Sequence, residues 1–94
     1  MSIIWSPEAL ADVEAALDYL VERNPPAAEN LATGIVSLIE RLATEPLEGP
    51  EHVLQSGDRV RGWPYPTFRV YYQRTSDGLL VVRVYHQRRD PIAR

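Results

Sequence analysis

The sequence contains no cysteine and no lysine, and it has two histidines among its 94 residues. Without cysteine there is no disulfide framework, no thiol nucleophile and no thiolate-bound zinc or iron–sulfur site. His52 and His86 lie far apart in the chain with no paired carboxylate motif, so their spacing fits no metal site. A glycine-rich phosphate loop is also missing. We therefore expect neither a metal nor another cofactor.

Long apolar stretches are missing as well. The longest runs have four or five residues, as at 79–82, whereas a membrane-spanning helix needs about 20. The N-terminus lacks the basic start and long apolar segment of a signal peptide. We expect a cytoplasmic protein without membrane contact, and its size of 10.7 kDa predicts a single domain over residues 1–94.

Charge is distributed unevenly along the chain. The net charge is −3, but residues 1–51 carry two arginines and ten acidic residues, whereas residues 52–94 carry eight arginines and three acidic residues. This asymmetry predicts a polar molecule with one cationic face, and its overall acidity argues against direct sequence-specific binding of nucleic acid. Arginine pairs with carboxylate or phosphate through a planar fork, although codon bias in a GC-rich genome also explains the missing lysine.

The first half of the chain predicts two helices. Ser6 before a proline is typical of an N-cap, Asn24 before two prolines ends the first helix, and Pro26 can open a second helix that ends before Pro46. Gly34 inside the second helix indicates a close helix–helix crossing. One apolar stripe on each helix has three- and four-residue spacing: Leu10, Val13, Leu17 and Leu20, then Leu31, Ile35, Leu38 and Leu42. Four acidic residues should mostly face solvent: Asp12, Glu14, Asp18 and Glu22.

The second half predicts strands. Residues 3–5 are a short β-type start, 45–58 form a loop, and strands follow at roughly 59–63, 67–75 and 79–87. The order is strand, helix, helix, strand, strand, strand. Because the turn between the helices is very short, they should be antiparallel. We expect an α+β domain with this helical hairpin packed on one face of a small, mainly antiparallel sheet.

The last two strands form the clearest local pattern. A three-residue loop over 76–78, with glycine last, would pair Thr75 with Leu79. This register predicts one mostly apolar face, in which Phe68 lies opposite His86, Val70 opposite Val84 and Tyr72 opposite Val82. The other face then carries Arg69 opposite Tyr85 and Tyr71 opposite Arg83. We expect the apolar face to pack on the helices and the arginine–tyrosine face to be left for solvent or a partner.

Four segments of the chain resemble the ParE/RelE superfamily of toxins from type II toxin–antitoxin modules. They are Ile4-Trp5-Ser6-Pro7-Glu8-Ala9 with Asp12 following, Tyr19 through Asn24-Pro25 with Ala27-Ala28, Arg41-Leu42 with Pro46 and Gly49, and Phe68-Arg69-Val70-Tyr71-Tyr72 followed by Arg83 through Pro91. The last strand, with its His-x-x-Arg-Asp ending, is more similar to the ParE branch than to the RelE branch.

This resemblance implies the fold described above and a cognate ParD-like antitoxin whose C-terminal segment wraps the toxin. Larger toxin–antitoxin hetero-oligomers are expected with it. A ParE-like member would inhibit DNA gyrase, which is our leading hypothesis. A RelE-like member would be an endoribonuclease that cleaves mRNA in the ribosomal A site. A third possibility is a non-toxic module that only binds the antitoxin.

Metal-independent ribonuclease chemistry needs a base, an acid and cations near the phosphate. Alignment with the RelE pattern puts Arg69 and Arg88 at functional arginines of that branch, and Arg59 and Arg61 near its basic pair. The acid/base tyrosine beyond the last strand has no match here, and His86 should face the helices. We therefore predict no catalytic residue and a toxin that is not an enzyme.

The residues expected to bind a partner or target are arginines and tyrosines of the second half. They are Arg59, Arg61, Arg69, Tyr71, Arg83, Tyr85, Arg88 and Arg89. Arginine and tyrosine dominate binding hot spots. A sheet face of this kind beside an apolar helix groove suits an acidic amphipathic segment that folds on binding.

Overall fold

A computed structural model describes residues 2–86 of the chain. Its elements are β1 (Ser2–Trp5), α1 (Pro7–Arg23), α2 (Pro25–Thr44), β2 (Glu51–Val53), β3 (Arg59–Tyr65), β4 (Phe68–Thr75) and β5 (Gly78–His86). The strands form one sheet in the order β1-β5-β4-β3-β2. The pairing is antiparallel except between β1 and β5, which confirms the predicted α+β fold. Within residues 2–86, no helix is long and apolar enough to cross a membrane.

The helix ends follow the predicted capping signals. The Ser6 hydroxyl accepts a hydrogen bond from the backbone N–H of Ala9 at 3.0 Å, which satisfies a donor that the first turn leaves unpaired. Asn24 ends α1 and also caps α2, because its side chain accepts from the N–H of Ala27. As a result, α2 begins at Pro25, one residue earlier than predicted.

The segment predicted as a loop over 45–58 contains a short additional strand. β2 has three residues and pairs with the first part of β3 at the far edge of the sheet. Two prolines and two glycines lie in the segment around it, so local propensity does not favour a strand there. The pairing depends on β3 being alongside, which is a tertiary effect.

The predicted register of the β4–β5 hairpin is correct for its first four pairs, from Phe68–His86 to Tyr71–Arg83. Beyond them the prediction is wrong, because Tyr72 lies opposite Val81 and Val82 is an extra residue in a bulge. At this bulge the Ser6 hydroxyl donates to the Val82 carbonyl at 2.7 Å.

The offset also shortens the predicted turn. Thr75 pairs with Gly78 rather than with Leu79. Gly78 therefore belongs to β5, where a Cβ atom would lie 1.8 Å from the carbonyl oxygen of Ser2 in β1. The glycine is required by this close approach of two strands.

The sheet has an apolar cluster on each face. The larger cluster joins α2 and one side of α1, from Ala9 to Leu20, to the inward side chains of β4 and β5, among them Val70 and Tyr72. Gly34 in α2 faces this side, but the neighbour that needs the space is Tyr65 of β3, whose hydroxyl would lie 1.7 Å from an added Cβ. The predicted close helix–helix crossing at Gly34 is therefore wrong.

Candidate functional site

Arg83, a predicted partner-binding residue, is held by Asp12 of α1. Its guanidinium donates two hydrogen bonds of 2.8 Å to the two carboxylate oxygens of Asp12. The same carboxylate accepts the backbone N–H of Val84 at 2.9 Å. β1 pairs with β5 only as far as Val81. The Asp12 carboxylate therefore pairs with a backbone N–H on the edge of β5 that β1 does not reach.

This ion pair is half-buried, with 15% of the Asp12 side chain and 30% of the Arg83 side chain exposed. The hydrogen bond to Asp12 raises the pKa of Arg83 above its usual value, and the guanidinium also lies over the ring of Tyr85, 4.2 Å from its centroid. The expectation that Asp12 is solvated is wrong. Its position on the helix gave no sign of a partner 71 residues away in the chain.

Tyr71 is fully buried, although it was predicted to lie on an exposed face. It belongs to the smaller apolar cluster on the face of the sheet away from the helices, with Leu54 and Val60. Its ring also lies edge-on to His52, with ring centroids 5.8 Å apart. The segment that precedes β3 therefore covers part of the face that we expected to be free. Tyr71 is a core residue, not part of an exposed binding surface.

Arg69 and Tyr85 lie opposite each other on this outer face, as predicted. Both are half-buried, and the ring of Tyr85 packs against Tyr71 with centroids 6.1 Å apart. Together with Arg83 they form the outer cluster: Arg69, Arg83 and Tyr85. Two other predicted residues, Arg88 and Arg89, lie outside the described residues.

Arg59 and Arg61 lie on the other face of the sheet. Side chains alternate between the two faces along β3. Val60 belongs to the smaller apolar cluster on the face away from the helices, whereas Trp63 packs on the larger cluster on the helix side. Arg61 is paired with Tyr72, whose side chain also belongs to the helix-side core. The expectation of a single cationic face is therefore wrong for the described residues, because their arginines are divided between two faces.

The arginines on the helix side surround an open cavity of about 390 Å³. We call this group the inner cluster: Arg59, Arg61 and Arg74, with Glu48 and Glu51. Arg61 donates to the Gly49 carbonyl at 2.8 Å and lies within 4 Å of both carboxylates. Within residues 2–86, the guanidinium of Arg59 makes no ion pair, and its side chain is exposed.

Arg74 is a residue of the inner cluster that sequence reasoning missed. Its guanidinium donates to the Leu42 carbonyl at 2.7 Å and to the Leu47 carbonyl, and it lies 3.5 Å from Glu48. A cation here stabilises the C-terminal end of α2, where backbone carbonyls lack helical partners. The alternation of Val70, Tyr72 and Arg74 along β4 was the available signal, because it puts Arg74 on the helix side.

The chemistry of both clusters is that of anion recognition. The described residues contain no group of three or more His, Asp or Glu side chains that could hold a metal. His52 lies beside Tyr71, and its buried Nε2 atom has no hydrogen-bond partner among the described residues. His86 packs edge-on against Phe68, with centroids 5.4 Å apart.

The inner and outer clusters can bind carboxylates or phosphates through Arg59, Arg69 and neighbouring donors.

Comparison with known proteins agrees with this architecture. No curated protein matches the chain. Among solved structures, one described as the chromosomal ParDE TA system from P. aeruginosa is similar to this fold, with a TM-score of 0.65 and 23% identity over 92% of this chain and 95% of that chain. The profile of the ParE toxin of the type II toxin–antitoxin system, parDE, matches residues 3–91. The chain therefore belongs to the ParE family of type II toxins.

Proposed function

We propose that this toxin acts by binding DNA gyrase, without enzymatic chemistry of its own, and that a ParD-like antitoxin neutralises it. The observation that carries the proposal is the match to the ParE family over residues 3–91. Inhibition of gyrase would place the toxin in the cytoplasm, where cleaved DNA would accumulate and growth would stop.

The environment of the candidate acid–base groups supports a binding role. Cleavage of RNA without a metal needs a base near the 2′-hydroxyl and an acid near the leaving oxygen. The imidazole ring of His52, with its buried Nε2 atom, lies edge-on to the ring of Tyr71, a residue of the smaller apolar cluster. The guanidinium of Arg61 is already bound to a backbone carbonyl and two carboxylates. These groups serve the fold, so we assign none of them to catalysis.

An acidic C-terminal segment of the antitoxin would bind the arginine-rich part of the sheet. Arg69 and Tyr85 of the outer cluster offer half-buried cationic and aromatic groups beside the Asp12–Arg83 pair. Residues of this type form charge-assisted hydrogen bonds with carboxylates. Such a segment would order when it binds, and the complex would assemble into a larger hetero-oligomer.

A ribosome-dependent endoribonuclease is the second candidate. It is favoured by the inner cluster, where Arg59, Arg61 and Arg74 line one cavity that a phosphate group could enter. In that case Arg59→Ala, which removes an exposed arginine of this cavity, should strongly reduce cleavage while folding and antitoxin affinity change little.

The deciding experiment compares two activities of the purified toxin. We expect it to block DNA supercoiling by gyrase and to leave a reporter mRNA on ribosomes intact. Adding the antitoxin should restore supercoiling. Cleavage of the message with unaffected gyrase would establish the second candidate instead. Normal growth on expression without antitoxin, with neither activity in vitro, would indicate a non-toxic antitoxin-binding module.

A further inference from the structure

Strand β1 lies at one edge of the sheet, and its outer side is open. It pairs with β5 alone, and the N–H groups of Ser2 and Ser6 donate to carbonyls on that side at 2.7 and 2.9 Å. Because backbone groups alternate in direction along a strand, the N–H and C=O of Ile3 and Trp5 point away from β5. Among residues 2–86, these outward groups have no hydrogen-bond partner.

The opposite edge of the sheet is protected against further pairing. There β2 covers the first part of β3, and the N–H of Gly62 donates to the Pro50 carbonyl at 3.0 Å. The next outward position on that side of β3 is Pro64, which has no N–H to donate. Natural proteins commonly protect their sheet edges with proline or with charged side chains, and β1 contains neither. Of the two edges, β1 is therefore the one that is open to another strand.

The side chains of β1 present apolar surface on both faces of this edge. Ile3 is 37% exposed and Ile4 is 55% exposed. Ile3 lies beside the buried Leu79 on the helix side, whereas Ile4 lies beside Leu80 on the other face. The edge therefore combines a row of unpaired backbone groups with an exposed isoleucine on each side of it.

We propose that β1 pairs with β1 of a second copy of this chain, antiparallel across a two-fold axis, and so joins two five-stranded sheets. In the register centred on Ile4, Ile3 of each copy lies opposite Trp5 of the other, and the outward groups of both residues become hydrogen-bonded. The two Ile4 side chains then lie directly opposite each other, with Cα atoms about 4.5 Å apart. On the helix side, Ile3 of each copy packs beside Trp5 of the other.

A second copy fits this edge because the edge is complementary to itself. A two-fold contact brings the same surface of both subunits together, and here it matches outward backbone groups with outward backbone groups and apolar side chains with apolar side chains. No charged side chain of β1 is brought opposite another. A pair of four-residue strands buries less than the roughly 1,200 Å² of a stable complex. We therefore expect a weak dimer, half-associated near roughly 100 µM, whatever the target of the toxin.

The absence of cysteine from the chain makes a cross-linking test direct. Ile4→Cys puts one thiol of each copy on the two-fold axis, at a separation that a disulfide spans, so mild oxidation should give a covalent dimer. Val53→Cys is the matched control, because Val53 is 44% exposed on β2 at the opposite edge. It should give at least about tenfold less dimer at the same protein concentration. Equal cross-linking of the two variants would overturn the inference.

Sedimentation of the full-length protein measures the association without a cross-link. Between about 1 µM and 1 mM the protein should change from monomer to dimer. Ile3→Pro removes an outward N–H but none of the hydrogen bonds to β5, and Ile4→Lys puts like charges opposite each other. Each should weaken the dimer by at least about tenfold, whereas Val53→Lys on β2 should change it by less than about twofold. Circular dichroism checks that each variant is folded.

Two results of these experiments would contradict the proposed pairing. One is a protein that stays monomeric over the whole concentration range. The other is a set of β1 variants that lose affinity for the purified antitoxin but keep the self-association of the unmodified protein, since the edge would then receive a strand of the antitoxin instead.

Discussion

Replacing Asp12 by alanine should destabilise the whole domain, although the residue lies on a surface helix. The carboxylate receives two hydrogen bonds from Arg83 and one from the N–H of Val84. Removing it leaves a half-buried guanidinium and an edge N–H of β5 without a partner. Hydrogen bonds to charged groups contribute about 1.5–3 kcal/mol, and an unsatisfied buried N–H costs about 1–3 kcal/mol.

The expected loss is nearer the lower end of those values because solvent reaches the pair, in which 30% of the Arg83 side chain is exposed. We expect Asp12→Ala to lower the free energy of unfolding by about 2–3 kcal/mol. For a domain of this size the midpoint of thermal unfolding should fall by roughly 10–20 °C. Asp12→Asn keeps one acceptor oxygen and should lose about half as much.

Urea unfolding followed by circular dichroism measures the effect. Glu14→Ala is the matched control, since this exposed carboxylate lies two residues further along α1; it should change stability by less than about 0.5 kcal/mol. A double-mutant cycle of Asp12→Ala with Arg83→Met should give a coupling energy of about 1–2 kcal/mol. If Asp12→Ala is as stable as the control, or the coupling is near zero, α1 does not hold the edge of β5 in the way described.

Three other substitutions test the packing of the sheet. Gly78→Ala should lower the free energy of unfolding by more than about 2 kcal/mol, because the added Cβ meets the Ser2 carbonyl; an unchanged urea midpoint would refute this contact. Gly34→Ala should lower the free energy of unfolding by about 1 kcal/mol, because the added Cβ displaces Tyr65. In a Tyr65→Leu background the same change should raise it by about 1 kcal/mol, because only helix propensity then acts. Arg74→Met should cost about 1–2 kcal/mol because it leaves two carbonyls, in the last turn of α2 and just after it, without their hydrogen bonds. Calorimetry that shows no change would contradict that role.

Local signals in the sequence were sufficient for the elements and for part of their pairing. The capping hydrogen bonds of Ser6 and Asn24 reach only three residues along the chain, so both caps could be predicted from the local sequence. Alternation along β4 and β5 placed Arg69 opposite Tyr85 and Tyr71 opposite Arg83. These effects act between neighbours in the chain or across one tight hairpin, so a single sequence contains them, and so do the motifs of the ParE family.

The tertiary structure decided which arginines share a surface. Arg59 and Arg61 were correctly placed on a strand, but the face they occupy depends on how β3 aligns with β4. The bulge at Val82 forms where β1 ends and α1 begins, and the Asp12–Arg83 pair joins residues 71 positions apart. Tyr71 is buried because the segment before β3 packs over it. Such contacts depend on the packing of elements distant in sequence, and therefore no local pattern of charge or hydrophobicity specifies them.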